Sequence, residues 1–266
     1  MKKILAVLLL SLSTATGFSQ DRVFTHTYQT NILPTHVREL EYWSTLRSGK
    51  DNFYNAIDQR FELEVGVGKN WQTAFYFNTS TVVRQGLSGL ERSNESGFSN
   101  EWKFKMSDPV ANKLGTALYG EIGFNGGEFE FEGKLLLDKR VGRNIYAINF
   151  VVEYEMDYEY EAEEAKVEAE TEVPFEVDLA WMHFCGEHCG IGLEVRDHNE
   201  NAPKKGWENS ALYAGPTLHF NGSGWFINFS AMPQLTNLHK QEGETADLDL
   251  YDHEKVQARV LLSFTF

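Results

Sequence analysis

The sequence predicts an all-β protein, a transmembrane antiparallel up-and-down β-barrel of about twelve strands. Three observations support this fold class. Apolar residues recur at every second position in successive stretches of roughly ten residues, which is the period of a β-strand. The connections between these stretches alternate between short and long. The polar faces carry many charges, which suits a barrel with an apolar outer wall and a polar interior.

The first element is an export signal. Lys2 and Lys3 precede the apolar run 4–12, and small and polar residues follow as far as Gln20. This order is typical of a signal peptide, and the run is shorter than the roughly 20 residues that a membrane-spanning helix needs. The sequence therefore predicts a signal peptide over residues 1–19.

Residues 20–35 come next and alternate only in part, at Phe24, His26 and Tyr28. Two interpretations stay open for them, a periplasmic lead to the barrel or a tail folded into it. The domain division adopts the first, with a periplasmic N-terminal lead over 20–35 and an outer-membrane β-barrel over 36–266.

The strands follow, and the last is the clearest. Its apolar face is formed by Val256, Ala258, Val260, Leu262, Phe264 and Phe266. The same alternation predicts twelve strands, near residues 37–47, 57–67, 71–81, 98–106, 114–124, 128–137, 145–156, 172–183, 190–198, 209–220, 225–235 and 253–266. Pro174, Pro216 and Pro233 cannot donate ladder hydrogen bonds, so each should mark a strand end or a bulge.

The connections differ in length at the two ends of the predicted barrel. Short turns are predicted at 68–70, 107–113, 138–144, 184–189 and 221–224, and long loops at 48–56, 82–97, 157–171, 199–208 and 236–252, with 125–127 a short exception. An even number of strands with this asymmetry is the organisation of barrels in the outer membrane of Gram-negative bacteria.

Charge excludes one class of partner. The formal net charge is −15, from 24 Lys and Arg against 39 Asp and Glu, which argues against a nucleic-acid binder.

The predicted inner face is acidic, and its candidate lumen and selectivity residues are Glu39, Glu41, Arg60, Glu62, Glu64, Glu128, Glu130, Glu132, Glu153, Glu194, Arg196 and Arg259. One interpretation is a narrow cation-preferring pathway. The other is a network of salt bridges that closes the lumen. Acids outnumber bases on this face, which favours some solvent or cations inside, and both interpretations stay open.

Two further groups of residues could bind metal ions, and each also has an interpretation without a metal. The acidic run 157–171 is expected to be a solvated surface, with divalent-cation binding at the external loops as the sharper alternative. His183, Cys185, His188 and Cys189 could hold zinc or copper, but a disulfide between the two cysteines is favoured in an exported protein. We therefore expect no metal there and no effect of chelators on folding.

No catalytic site is expected. His198 lies near the outer rim by parity, but no nucleophile with an adjacent base and no cofactor-binding motif stands out.

The C-terminal stretch Val260–Phe266 ends in alternating apolar residues with phenylalanine at 264 and 266. It resembles the membrane-assembly signal of outer-membrane barrels, which implies outer-membrane lipid and the barrel-assembly machinery as partners. The stretches 30–34, 39–43, 192–196 and 215–219 resemble an uncharacterised family of small outer-membrane barrels. That resemblance implies a fold and a location in the cell outer membrane, and no reaction.

The function expected from these observations is a non-enzymatic, porin-like channel that passes small cationic or neutral solutes through an acidic lumen. The alternative is a closed structural or surface-binding barrel that uses acidic external loops. A lipid-acting barrel enzyme is the third hypothesis.

Overall fold

The computed structural model describes residues 22–161, 166–203, 206–240 and 246–266. The predicted signal peptide lies outside the described residues. Within the described ranges, no helix has the length and apolar character needed to cross a membrane.

The regular structure consists of β-strands. They are β1 Arg38–Ser48, β2 Tyr54–Gly66, β3 Trp71–Gly86, β4 Gly89–Ser107, β5 Gly115–Asn125, β6 Glu128–Val141, β7 Asn144–Glu161, β8 Lys166–Glu172, β9 Phe175–Phe184, β10 Cys189–Ala202, β11 Gly206–Gly222, β12 Trp225–Asn237 and β13 Val256–Thr265.

The strands close into a barrel. Strands adjacent in the chain pair antiparallel, with β8 and β9 as the exception, and β1 pairs with β13. Strands β8 and β9 both pair with β7 and are separated only by Val173 and Pro174, so they form one strand of the wall, broken at a proline. The wall is therefore a closed antiparallel barrel of twelve strands, which confirms the predicted fold class.

The other two prolines also lie at an irregularity. The ladder between β11 and β12 reaches Tyr213, resumes at Thr217, and shifts register beside Leu212. Pro216 and Pro233 lie where β11 and β12 have no paired residues, and each is paired only on its other side, with Leu193 of β10 and Val256 of β13.

The faces of the wall are those of a membrane barrel. On β2, Glu62 is 1% exposed and Glu64 is 8% exposed, whereas Leu63 between them is 38% exposed. The aromatic residues Phe77, Phe98 and Phe124 also face outward. Polar groups thus point inward and apolar groups outward, so the outer wall matches lipid and the interior matches water.

Three of the predicted long loops, 82–97, 157–171 and 199–208, are mostly strand, which corrects the sequence analysis, whereas those at 48–56 and 236–252 are largely connections. Strands β3 and β4 are joined by residues 87–88 alone. Strand β7 continues to Glu161, and its last residues, from Glu155 on, pair with β8. The ladder there is built from polar pairs such as Thr81 and Asn94, whose side chains are hydrogen-bonded at 3.0 Å. Alternation of apolar residues stops where the lipid stops, but backbone pairing continues.

Short connections at 67–70, 108–114, 142–143, 185–188 and 223–224 lie at the other end, where β1 begins and β13 ends. In one of them, Lys105 and the backbone N–H groups of Val110 and Ala111 donate to the Asp108 carboxylate. These bonds lower the pKa of Asp108 to about 2.

Residues 22–33 fold into the barrel, and we call them the inner segment. They are bonded to inward-facing side chains of β3, β6, β7, β10, β12 and β13. The segment is therefore the inward-folded tail of the two alternatives, and the assignment of 20–35 as a periplasmic lead is corrected for these residues. Weak alternation could not reveal this position, because the partners lie on strands distant in the sequence.

The orientation of the wall predicts that a charged residue on its outer face destabilises the barrel more at mid-membrane depth than at the hairpins. Leu63 pairs with Phe75, between the aromatic residues Trp71 and Phe77 of β3, so Leu63→Arg places a cation in hydrocarbon. We expect a loss of about 2–4 kcal/mol in the free energy of unfolding. Leu87→Arg, at the fully exposed connection between β3 and β4, should cost less than about 1 kcal/mol. Urea unfolding of barrels refolded into lipid vesicles measures both, and equal losses would contradict this orientation of the wall.

Candidate functional site

The lumen is the candidate site, and Glu194 of β10 is its best-satisfied acid. Its two carboxylate oxygens accept backbone N–H bonds from Thr25, His26 and Thr27 at 2.9, 2.8 and 3.0 Å. The Thr25 hydroxyl donates a fourth bond at 3.0 Å. Glu194 is completely buried, so it acts as an anchor for the inner segment and is closed to solutes in this state.

Other strands hold the same segment. Asn149 of β7 accepts a bond from the Tyr28 N–H at 2.6 Å and donates to the Tyr28 carbonyl at 2.9 Å. Gln72 of β3 accepts from the Leu33 N–H at 2.7 Å. Arg259 of β13 donates to the Thr25 carbonyl at 3.0 Å. The barrel thus replaces the water that these backbone groups would otherwise need.

A cationic and aromatic centre lies against this segment. The guanidinium of Arg22 lies 3.9 Å from the ring centre of Tyr28 and 4.7 Å from that of Trp43. Arg60 and Arg259 each lie 4.9 Å from the Trp43 ring centre. Three cations therefore meet one indole, an arrangement that the negative ring face stabilises.

Part of the acidic lining is paired. Arg60 contacts Glu121 at 3.2 Å, and Lys134 contacts Glu132 at 2.9 Å. Arg196 donates two hydrogen bonds to Glu176. The salt-bridge interpretation of the sequence thus describes this part of the lumen.

Other acids face one another. Glu41, Glu62 and Glu64 have carboxylate oxygens within 4.8 Å of each other, and so do Glu130, Glu132 and Glu153. Neither oxygen of Glu62 accepts a hydrogen bond from the described part of the chain. The like-charged pairs Glu132–Glu153, Glu130–Glu155 and Glu128–Asp157 are directly opposite in the ladder of β6 and β7. Such pairs are destabilising unless a positive charge lies nearby.

A cavity of about 250 Å³ occupies the lumen towards the long-hairpin end. Its lining includes Asp58, Glu128, Glu130, Arg60 and Arg259. We call it the vestibule. A smaller space of about 30 Å³ lies beside the inner segment, between Gln29, Glu39 and Lys103. Two residues of the vestibule lining, Arg259 and Trp43, contact the inner segment at Thr25 and Arg22.

The structure places the predicted lumen residues inside the wall. Buried there are Glu39, Glu41, Glu62, Glu64, Glu132 and Glu194, and half-buried are Arg60, Glu128, Glu130, Glu153, Arg196 and Arg259. Their part in selectivity stays a prediction. Sequence reasoning missed the anchoring role of Asn149 and Gln72, for which the only available signal was a polar side chain at an inward position.

The cysteine turn lies at the short-turn end. Cys185 and Cys189 are free thiols in the structure, and the Cys185 N–H donates to the Cys189 carbonyl at 3.0 Å. The disulfide stays a prediction. His183 contacts the side chain of Asn144 at 3.0 Å. Among the described residues, the groups of donor atoms that converge as metal ligands do not include this turn.

The anchoring by Glu194 can be tested. Glu194→Ala removes the acceptor of four hydrogen bonds, and each stranded N–H costs about 1–3 kcal/mol. In a background without Cys185 and Cys189, a Thr27→Cys thiol should then react with a maleimide at least about tenfold faster. Asp197→Ala is the matched control, because Asp197 bonds Ser210 of β11 instead. Equal reactivity of the two variants would contradict the anchoring role.

Comparisons with known proteins agree with this architecture. A family model described as a family of unknown function (DUF6662) matches residues 16–266. No curated protein matches the chain.

Solved structures share the fold at low sequence identity. The COG4313 outer membrane channel from Pseudomonas putida F1 superposes with a TM-score of 0.60 at 8% identity, covering 92% of this chain and 100% of that one. The beta domain of the Bordetella autotransporter Brka gives 0.60 at 8%, covering 88% and 100%. The NanC porin gives 0.51 at 10%, covering 85% and 98%. The chain therefore belongs to the DUF6662 family and has the fold of an outer-membrane β-barrel.

Proposed function

We propose that the protein is a non-enzymatic channel of the outer membrane for small cationic or neutral solutes, closed by its inner segment in the state described. The observation that carries this proposal is the vestibule of about 250 Å³, whose lining is mostly polar and includes Arg259, which is hydrogen-bonded to Thr25 of the inner segment. Its volume lies just below the usual range of roughly 300–1,000 Å³ for ligand pockets, so it suits small solutes.

The charge of the lining favours cations over anions. The pairs of opposed carboxylates on β6 and β7 run from Glu132–Glu153 out to Glu128–Asp157. A cation near these pairs reduces the repulsion between the carboxylates, whereas an anion is itself repelled by them. The cations at the vestibule floor, Arg60 and Arg259, lie against Trp43, and Arg60 is also paired with Glu121.

Passage requires the inner segment to move, and the wall allows this movement. The segment contributes no strand to the barrel, whose ladder is complete without it. It is held by hydrogen bonds to side chains, each worth about 0.5–1.5 kcal/mol, or about 1.5–3 kcal/mol when the acceptor is charged. Val23, Phe24 and Tyr28 also pack against apolar side chains inside the barrel. The segment can therefore leave towards the periplasm while the barrel stays folded.

The second candidate is a closed structural barrel that acts through its acidic external hairpins. The inner segment inside the lumen favours this candidate, because the side chains of Glu194 and Asn149 are hydrogen-bonded to it. We also propose that the hairpin of β7 and β8 binds divalent cations. The barrel-assembly machinery is proposed to recognise Phe264 and Phe266. The lipid-acting enzyme gains no support, since the His198 ring nitrogens face Glu176 and Glu200.

Bilayer recording separates the two candidates. We expect the protein without residues 22–33 to conduct steadily and the complete mature chain to conduct at least about tenfold less. Under a salt gradient, the reversal potential of the shortened protein should indicate cation preference, because the acidic wall is then exposed to the pathway.

The charge assignment has its own control. Glu130→Gln with Glu132→Gln should reduce the cation preference, whereas Glu91→Gln at the exposed β3–β4 hairpin should leave it unchanged. A shortened barrel that is folded but silent would contradict the channel and favour the structural role. Anion preference would contradict the proposed selectivity alone.

A further inference from the structure

Two histidines and a glutamate converge at the outer end of the barrel, away from the inner segment. His198 and Glu200 lie on the same inward face of β10, and His253 lies in the connection that precedes β13. One donor atom from each of the three lies within 4.8 Å of the others. The three residues come from two separate parts of the chain, and only the closed barrel brings them together.

The ring nitrogens of both histidines are oriented by oxygen acceptors. The Nδ1 atom of His198 contacts a carboxylate oxygen of Glu176. The Nε2 atom of His253 lies 2.7 Å from the Oδ1 atom of Asn209. We assign the N–H groups to these two positions, which leaves a lone pair on His198 Nε2 and on His253 Nδ1. Histidines that bind metals are held by such a partner on the second nitrogen.

Asn209 of β11 connects Glu200 with His253. Its Nδ2 atom donates to Glu200 Oε2 at 2.5 Å, while its Oδ1 atom faces His253. The second oxygen of Glu200, Oε1, lies 3.8 Å from His198 Nε2. Asn209 is only 4% exposed, so packing fixes its amide and the two groups it positions.

We propose that His198, Glu200 and His253 bind a divalent transition-metal ion of the zinc class at the mouth of the lumen. Two imidazoles and one carboxylate are a donor set that suits Zn²⁺, whereas Ca²⁺ and Mg²⁺ prefer oxygen ligands alone. Ligands about 2.0–2.1 Å from zinc lie about 3.4 Å apart, so the observed separations need only a small closure. Water completes the coordination.

Such a site ties the connection 238–255 to β10. The connection is the longest between described strands, and its other contacts include Tyr213 donating to the Glu254 carbonyl at 2.8 Å and Arg47 contacting Glu254 at 2.5 Å. A metal ion between His253 and β10 adds a link across the barrel mouth. This inference does not rest on the channel proposal, because a closed barrel would bind the ion equally well.

Zinc titration of the refolded, chelator-treated mature protein in detergent is the test. Cys185 and Cys189 are replaced by serine, so that the cysteine turn cannot contribute. We expect one Zn²⁺ per chain, and His198→Ala or His253→Ala should each weaken binding more than about 100-fold. His239→Ala is the matched control, because His239 lies in the same outer region but stacks on Trp207, with ring centres 4.2 Å apart.

The positioning role of Asn209 has a separate readout. Asn209→Ala should weaken Zn²⁺ binding about 10–100-fold, as loss of a second-layer partner does, without lowering the stoichiometry. Heat-modified mobility on gels verifies that each variant is folded. Absence of Zn²⁺ binding to the folded protein, or equal binding by the His198 and His239 variants, would overturn the proposal. Tighter binding of Ca²⁺ than of Zn²⁺ would overturn the assignment of the donor set.

Discussion

The structure depends on one constraint, which is that polar groups inside a membrane barrel must find partners within the barrel or in the water it admits. The wall meets this constraint for its own backbone by closing β1 on β13. The lumen meets it in two ways. Glu176 and Arg196 satisfy each other, and Glu194 is satisfied by the backbone of the inner segment. The segment and the lining therefore stabilise each other, although the backbone ladder of the wall is complete without the segment.

The charges of the lumen serve two purposes in different places. Pairs such as Lys134–Glu132 fix side chains in position. Glu130 and Glu155 are opposed in the ladder beside the vestibule, and in the proposed channel they favour cations over anions. The ion pairs of the salt-bridge interpretation are present in part of the lumen, and the cation pathway stays a proposal.

The sequence predicted what depends on local alternation. The run Glu62, Leu63, Glu64 already gives the orientation of β2, and the same reasoning counts the strands correctly. It failed where pairing continues without an apolar face, as at 82–97. It also missed two contacts that need the closed barrel: Asn149 bonding Tyr28, and His253 meeting His198. These partners are far apart in the chain, and no spacing rule relates them.

The most direct test of the account locks the inner segment in place. The hydroxyls of Thr25 and Ser230 are 2.6 Å apart, so cysteines at these positions can be bridged, in a background without Cys185 and Cys189. Single-channel conductance is recorded before and after addition of a reductant. The account predicts a silent oxidised barrel that, on reduction, regains the low cation-preferring conductance of the complete mature chain. Equal conductance in the two states would contradict the inner segment as the closure of the lumen.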